Sequence, residues 1–313
     1  MKKAVILLNM GGAENLDEVE IFLKNMFNDK YILGLKSDFW RGVLAWVITK
    51  SRAKGARANY ERLGGKSPLG DITRSLVNKL NVTQDEFKFD YAMNYTPPFA
   101  PEVLARYADY DEITLFPLYP HYSQTTIKSS VEAAMNAAAS LGIEGKIRVA
   151  DYFFGDEEFC AIIERSIRAA ISNLNNSNLK ATNLIFSAHS LPLSIINAGD
   201  PYEKHVRAHV ELLRKRLADL PFASVSLAYQ SRLGPVKWLT PNIAEVLPAL
   251  EPKRALVYPI SFCIDNSETD FELAIYYREI ARKLGFEYYE VVRAPDDSDE
   301  FAKFILSKVS NLK

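Results

Sequence analysis

The chain has 313 residues, 48% of them hydrophobic and 25% charged, and a formal net charge of −1. A chain of this length buries a core without disulfide or metal staples, and the balance is that of a folded protein rather than a disordered one. The near-zero charge leaves no basic excess for nucleic acid, and no nucleic-acid-binding motif is present.

The N-terminus reads Met1-Lys2-Lys3, then the apolar run Ala4–Asn9. The run is too short for a signal peptide and lacks a cleavage site, so it is taken as a first β-strand. Further strand-like runs follow at Phe87–Met93, Ile113–Leu118 and Ile147–Ala150, then at Leu184–Ser187, Ser224–Tyr229, Ala255–Ile260 and Glu287–Val291. Helical patterns at Leu16–Met26, Ser129–Ala139, Phe159–Leu174, Tyr202–Ala218 and Asp270–Leu284 lie between them. Alternation of β and α elements predicts parallel sheets covered by helices. Eight strands fit one sheet or two sheets of four. Open α/β sheets bind ligands beyond the carboxyl ends of their strands, so functional residues are sought there.

Residues 38–48 are nearly all apolar and include Phe39, Trp40, Val43 and Trp46, with Lys50, Arg52, Lys54 and Arg57 just beyond. Two readings stay open: a core helix with a basic last turn, or an apolar lip able to touch a bilayer or admit an apolar ligand. No run of about 18 apolar residues exists, so no membrane-spanning helix is expected. The two cysteines, Cys160 and Cys263, are read as small buried hydrophobes. An ordinary iron–sulfur cluster needs four cysteine ligands, so none is expected.

Four strand ends carry the chemistry. The run Leu184–Ser187 leads into Ala188-His189-Ser190-Leu191-Pro192, which places a titratable, metal-capable histidine at the end of a buried strand. After Ala255–Ile260 come Asp265, Glu268 and Glu272, spaced three and four apart; on one helix face they would make a row of hard oxygen ligands. The third end carries Tyr119-Pro120-His121-Tyr122-Ser123, where His121 could lie near a pocket, and the fourth Tyr229-Gln230-Ser231-Arg232. Aromatic walls suit a flat macrocycle and Arg232 suits a carboxylate. His205 and His209 stand four apart on a predicted helix, but no third ligand is near, and Lys204 and Arg207 mark a solvated face.

The segment Ser187–Pro192, Tyr229-Gln230-Ser231-Arg232 with Gly234-Pro235 and Trp238-Leu239, and Asp265 with Glu268-Thr269 resemble the ferrochelatase family in order and spacing. So do Leu8–Gly12, Gly64-Gly65 with Ser67-Pro68, Tyr119-Pro120 with Tyr122-Ser123, and Asn197 with Gly199–Tyr202, so the resemblance runs from about residue 4 to about residue 310. It implies an α/β fold of two Rossmann-like lobes, each a four-stranded parallel sheet flanked by helices, with a porphyrin cleft between them. Residues 1–127 with a C-terminal helix at 298–313 would form one lobe, and 128–297 the other.

The implied activity is insertion of ferrous iron into protoporphyrin IX. His189 and Glu268 would be catalytic and would meet the metal, and Asp265 and Glu272 would form or support an acidic path. Met10, Tyr95, Tyr119, Tyr122, Ser123, Ser187, Arg232 and Trp238 would contact porphyrin. Which of His189 and Glu268 is the base stays open. Two positions depart from the family: Asn266 stands where a histidine is usual, and Asn94 where an arginine often precedes the pocket tyrosine. Iron enters as substrate and no permanent cofactor is expected. A monomer is expected, located in the cytoplasm, with peripheral contact to the inner membrane through 38–48. The alternatives are a coproporphyrin-specific enzyme and a non-catalytic porphyrin carrier. A nucleotide-dependent oxidoreductase is disfavoured, because Asn9-Met10-Gly11-Gly12-Ala13 is no dinucleotide fingerprint.

Overall fold

A computed structural model describes residues 1–312. The chain forms two units: residues 1–152 with the C-terminal segment from Asp297, and Phe153–Asp296. Each contains one four-stranded sheet, paired in parallel throughout.

The first sheet has the order β2-β1-β3-β4, from β1 (Lys3–Asn9), β2 (Phe87–Met93), β3 (Glu112–Pro117) and β4 (Ile147–Val149). Alternate β1 residues Ala4, Ile6 and Leu8 face Val103 and Leu104 and the small residues Ala134 and Ala138 of helix Ser129–Ser140. Helix Asp299–Ser310 packs on helix Leu69–Thr83, and Lys79 Nζ pairs with Asp299 at 2.7 Å. The expected division at 127/128 therefore differs from the observed one at 152/153. Helix Ser129–Ser140 covers β1 and β3, and β4 hydrogen-bonds to β3, so the first sheet is complete only after residue 149.

The second sheet repeats the order as β6-β5-β7-β8, from β5 (Asn183–His189), β6 (Ser224–Gln230), β7 (Arg254–Pro259) and β8 (Tyr288–Val291). Ile185, Ala228, Ala255 and Val257 form its core with Leu273 and Tyr277. A π-helix follows the third strand of each sheet, at Gln124–Lys128 and at Glu268–Tyr277. Such wide helices concentrate at functional sites. The longer one replaces the first half of the helix expected over 270–284, and ordinary α-helix resumes at Arg278–Lys283. Leu273 and Tyr277 anchor its inner face, each buried side chain contributing about 2 kcal/mol. Glu268 and Glu272 lie on the face turned towards the end of β6.

Candidate functional site

The second unit has its topological switch point between β5 and β7, because the chain leaves β5 first to one side and then returns to the other. Ligands bind at such points, beyond the strands' carboxyl ends. His189 ends β5 there, and the loop from Ser261 to Glu268 follows β7.

His189 Nδ1 lies 2.8 Å from Glu268 Oε2, and the two side chains are 34% and 23% exposed, so both are reachable from solvent. Burial works against the imidazolium, but the charge and hydrogen bond of Glu268 and the charge of Glu272 outweigh it. The net pKa of His189 is raised above the usual histidine value. The contacts that His189 Nδ1 and the Ser231 hydroxyl make with the Glu268 carboxylate both fall on Oε2.

Gln230 ends β6 directly opposite His189. Its Oε1 accepts from the Ser187 hydroxyl at 2.6 Å, and its Nε2 donates to the Glu268 carbonyl at 3.3 Å and to Glu272 Oε2 at 3.2 Å. Ser231 follows with φ +66°, and its N–H donates to Glu272 Oε1 at 2.9 Å. Its hydroxyl also donates to Glu272 Oε2 and approaches Glu268 Oε2 at 3.4 Å. Burial and the Glu268 charge raise the pKa of Glu272 against the opposing Ser231 hydrogen bonds.

The row of three carboxylates expected on one helix face is broken. Glu268 and Glu272 share a face; Asp265 does not. It precedes the helix, is buried, and pairs with Arg293 Nε at 2.6 Å while accepting from the Ala294 N–H. Arg293 also binds Asp270 and Asp296, so Asp265 belongs to a separate ion cluster. Burial and the Asp265 charge raise the Asp296 pKa. Asn266, where a histidine was usual, caps the helix start: its Oδ1 accepts from the Glu268 N–H at 2.8 Å. Among the described residues no three His, Cys, Asp or Glu side chains form a ready-made metal cage.

Of the expected porphyrin contacts, three lie in the second unit. Ser187 is fully buried with its hydroxyl committed to Gln230, so it supports the site from behind rather than lining it. Arg232 makes two hydrogen bonds to Glu245, at 2.6 and 3.2 Å. The Trp238 indole donates to the Leu233 carbonyl at 3.1 Å. The others lie in the first unit. Met10 follows β1, and its carbonyl accepts from the Tyr95 N–H. The Tyr95 hydroxyl donates to Asp29 at 2.8 Å, and that of Tyr119 bonds Ser130 at 3.2 Å. Ser123 caps the shorter π-helix, and the Tyr122 ring meets Tyr152 edge-on. Asn94, in the arginine's place, donates to Ser129 Oγ at 2.8 Å.

Sequence reasoning did not single out Gln230, Ser231, Tyr202 or Ser261 as site residues, although the first two sit at a strand end where the same rule could have found them. His121 is buried after β3. His205 stacks on Phe154 and His209 is buried, so the face of that helix is not wholly solvated. Both cysteines are buried and free of disulfide, as expected.

The ferrochelatase family model matches residues 2–312. A relative from Campylobacter fetus named ferrochelatase is 58% identical over the full length of both chains. Another so named, from Nitratiruptor, is 49% identical over 96% of each. Among solved structures, SirB from Bacillus subtilis with Fe3+ is similar over 99% of this chain and 95% of its own, with a TM-score of 0.58 at 12% identity, a likeness of fold.

Proposed function

This chain belongs to the ferrochelatase family, and from that premise we propose that it inserts ferrous iron into protoporphyrin IX, giving protohaem and releasing the two pyrrole protons. The observation that carries the site assignment is the His189–Glu268 pair at 2.8 Å beyond the carboxyl ends of β5 and β7.

Free porphyrin is planar and its nitrogens point inward, so a metal cannot reach all four at once. An enzyme accelerates entry by holding the ring closer to its geometry at metal entry and by taking the displaced protons. His189 is the base in this reading. Its Nδ1 is committed to Glu268, which leaves Nε2 to accept a pyrrole proton, and the adjacent carboxylate stabilises the resulting imidazolium. Glu268 Oε1 accepts no hydrogen bond from the described residues and offers ferrous iron a hard oxygen ligand. Ser231 and Gln230 bind Glu272 and the Glu268 carbonyl, and so tie the π-helix that carries Glu268 to the end of β6. Iron is a substrate here, and the reaction needs no resident cofactor.

Helix Asp38–Arg62 carries Phe39, Trp40 and Trp46 at 70, 63 and 57% exposure, with basic residues along its later turns. We propose peripheral contact with an anionic bilayer through this face, by a cytoplasmic protein acting as a monomer. Among the described residues, no helix is long and apolar enough to cross a membrane.

The test is anaerobic turnover by purified protein supplied with ferrous iron and protoporphyrin, read as the absorbance of haem. Catalytic haem formation is expected. Porphyrin bound without turnover would overturn the proposal in favour of a carrier.

A further inference from the structure

Strand β7 stops one step too early for His189. The register between β5 and β7 ends at Ser187 opposite Pro259, and the Ile260 N–H closes on the Ser187 carbonyl. In a parallel pair, residues two apart on one strand turn their N–H and C=O to the same neighbour. The main chain of His189 therefore faces the side of β7, where no strand residue remains to meet it. A half-buried strand end cannot leave both groups unpaired.

Two hydroxyls fill the place of the missing strand. The His189 N–H donates to Ser261 Oγ at 3.1 Å. The Tyr202 hydroxyl donates to the His189 carbonyl at 2.9 Å. Tyr202 and Ser261 touch each other at 2.7 Å. Donor chemistry fixes the direction. A peptide N–H only donates, so Ser261 Oγ accepts there. The Tyr202 hydrogen goes to the carbonyl, so the Ser261 hydrogen goes to Tyr202 Oη. The bonds close a ring: His189 N–H to Ser261, Ser261 to Tyr202, Tyr202 back to the His189 C=O. Tyr202 is buried and begins helix Tyr202–Arg216, its own N–H held by Asp200 Oδ1 at 3.0 Å.

We infer that Tyr202 and Ser261 are positioning residues that fix His189 through this closed ring, and so set its Nδ1 at bonding distance from Glu268. The inference rests on the proposed role of His189. Neither hydroxyl touches substrate in this account; both act through the histidine's main chain. Each bond in a closed ring polarises the next, so the ring works as a unit and opens when either hydroxyl is lost.

The test is steady-state haem formation by the full-length variants Tyr202→Phe, Ser261→Ala and the double variant, with Ser261→Thr as the conservative control. A misplaced catalytic group costs turnover rather than binding, so each single variant is expected to lower kcat by about tenfold with KM for protoporphyrin unchanged. The double variant is expected to lose no more than the worse single, because the ring is already open. Ser261→Thr restores the hydroxyl and recovers kcat. Wild-type kcat in either single, multiplied losses in the double, or no recovery in Ser261→Thr would overturn the inference. If Tyr202→Phe does not fold, the Ser261→Ala and Ser261→Thr pair decides alone. His189→Ala is run beside them. Turnover surviving in it would refute the role of His189 itself. Turnover lost in it but kept in both hydroxyl variants refutes only the ring.

Discussion

Ser231 binds Glu272 twice, through its N–H at 2.9 Å and through its hydroxyl, from a backbone held at φ +66°. A non-glycine residue in the left-handed region costs of order 1–3 kcal/mol and persists where surrounding contacts over-determine it. Here those contacts fasten the π-helix to the end of β6, and with it Glu268. Glu272→Ala should leave the Ser231 N–H without its acceptor and take from the Ser231 hydroxyl and the Gln230 amide one partner each, a loss of about 1–3 kcal/mol in urea unfolding. A change within error would show that the latch contributes nothing to stability.

Glu268→Gln should lower the pKa of His189. Burial alone depresses it; the Glu268 carboxylate is what lifts it above the ordinary value. A histidine raised on folding contributes stability that is full below its unfolded pKa of about 6.5 and lost as pH rises through the folded pKa. The wild type should show that loss, and the variant should not. NMR titration of the imidazole checks the first statement, and urea unfolding against pH the second. An unshifted imidazole in the variant would refute the electrostatic coupling.

His209 supplies the opposite sign. It is fully buried near the Phe154 and Phe159 rings, and burial pushes its pKa down to about 3. The unfolded chain binds a proton there below about pH 6.5 while the folded protein stays neutral. Stability therefore falls as pH drops from that value towards 3, by up to a few kcal/mol. His209→Leu should flatten this acid limb between pH 6.5 and 4. An unchanged slope would mean that other groups carry it.

The exposed face of helix Asp38–Arg62 predicts sedimentation with anionic vesicles at low salt. Replacing Phe39, Trp40 and Trp46 together by Ser should abolish it. Equal partitioning of wild type and variant, or no binding by the wild type, removes the membrane contact from the account.

Much of this fold was readable in the letters. All eight strands fall within two residues of the expected runs, and the inner strands β1, β3, β5 and β7 are the plainest, because burial on both faces demands continuous apolar stretches. His189 and Glu268 drew notice because each follows a strand end, the resemblance to the ferrochelatase family joined them as a candidate pair, and the structure sets them 2.8 Å apart. What failed has local causes. Spacings of three and four grouped Asp265 with Glu268 and Glu272, but the helix begins only at Glu268, and Arg293, 28 positions on, claims Asp265. A wide helix leaves no periodicity distinct from an α-helix over ten residues. Ser231 gave no hint of its left-handed backbone, which glycine or asparagine would have signalled. Exposure of Trp40 and Trp46 depended on tertiary packing, and the sequence alone left a core helix and a lip both open.

The most direct test of the account compares wild type and His189→Ala for anaerobic haem formation, with porphyrin binding followed separately by fluorescence. The account predicts that the variant still binds protoporphyrin while turnover falls by at least a hundredfold, roughly the lower range for removal of a general base. Binding and turnover both at wild-type levels would contradict the assignment of His189 as the base, and with it the reading of the site.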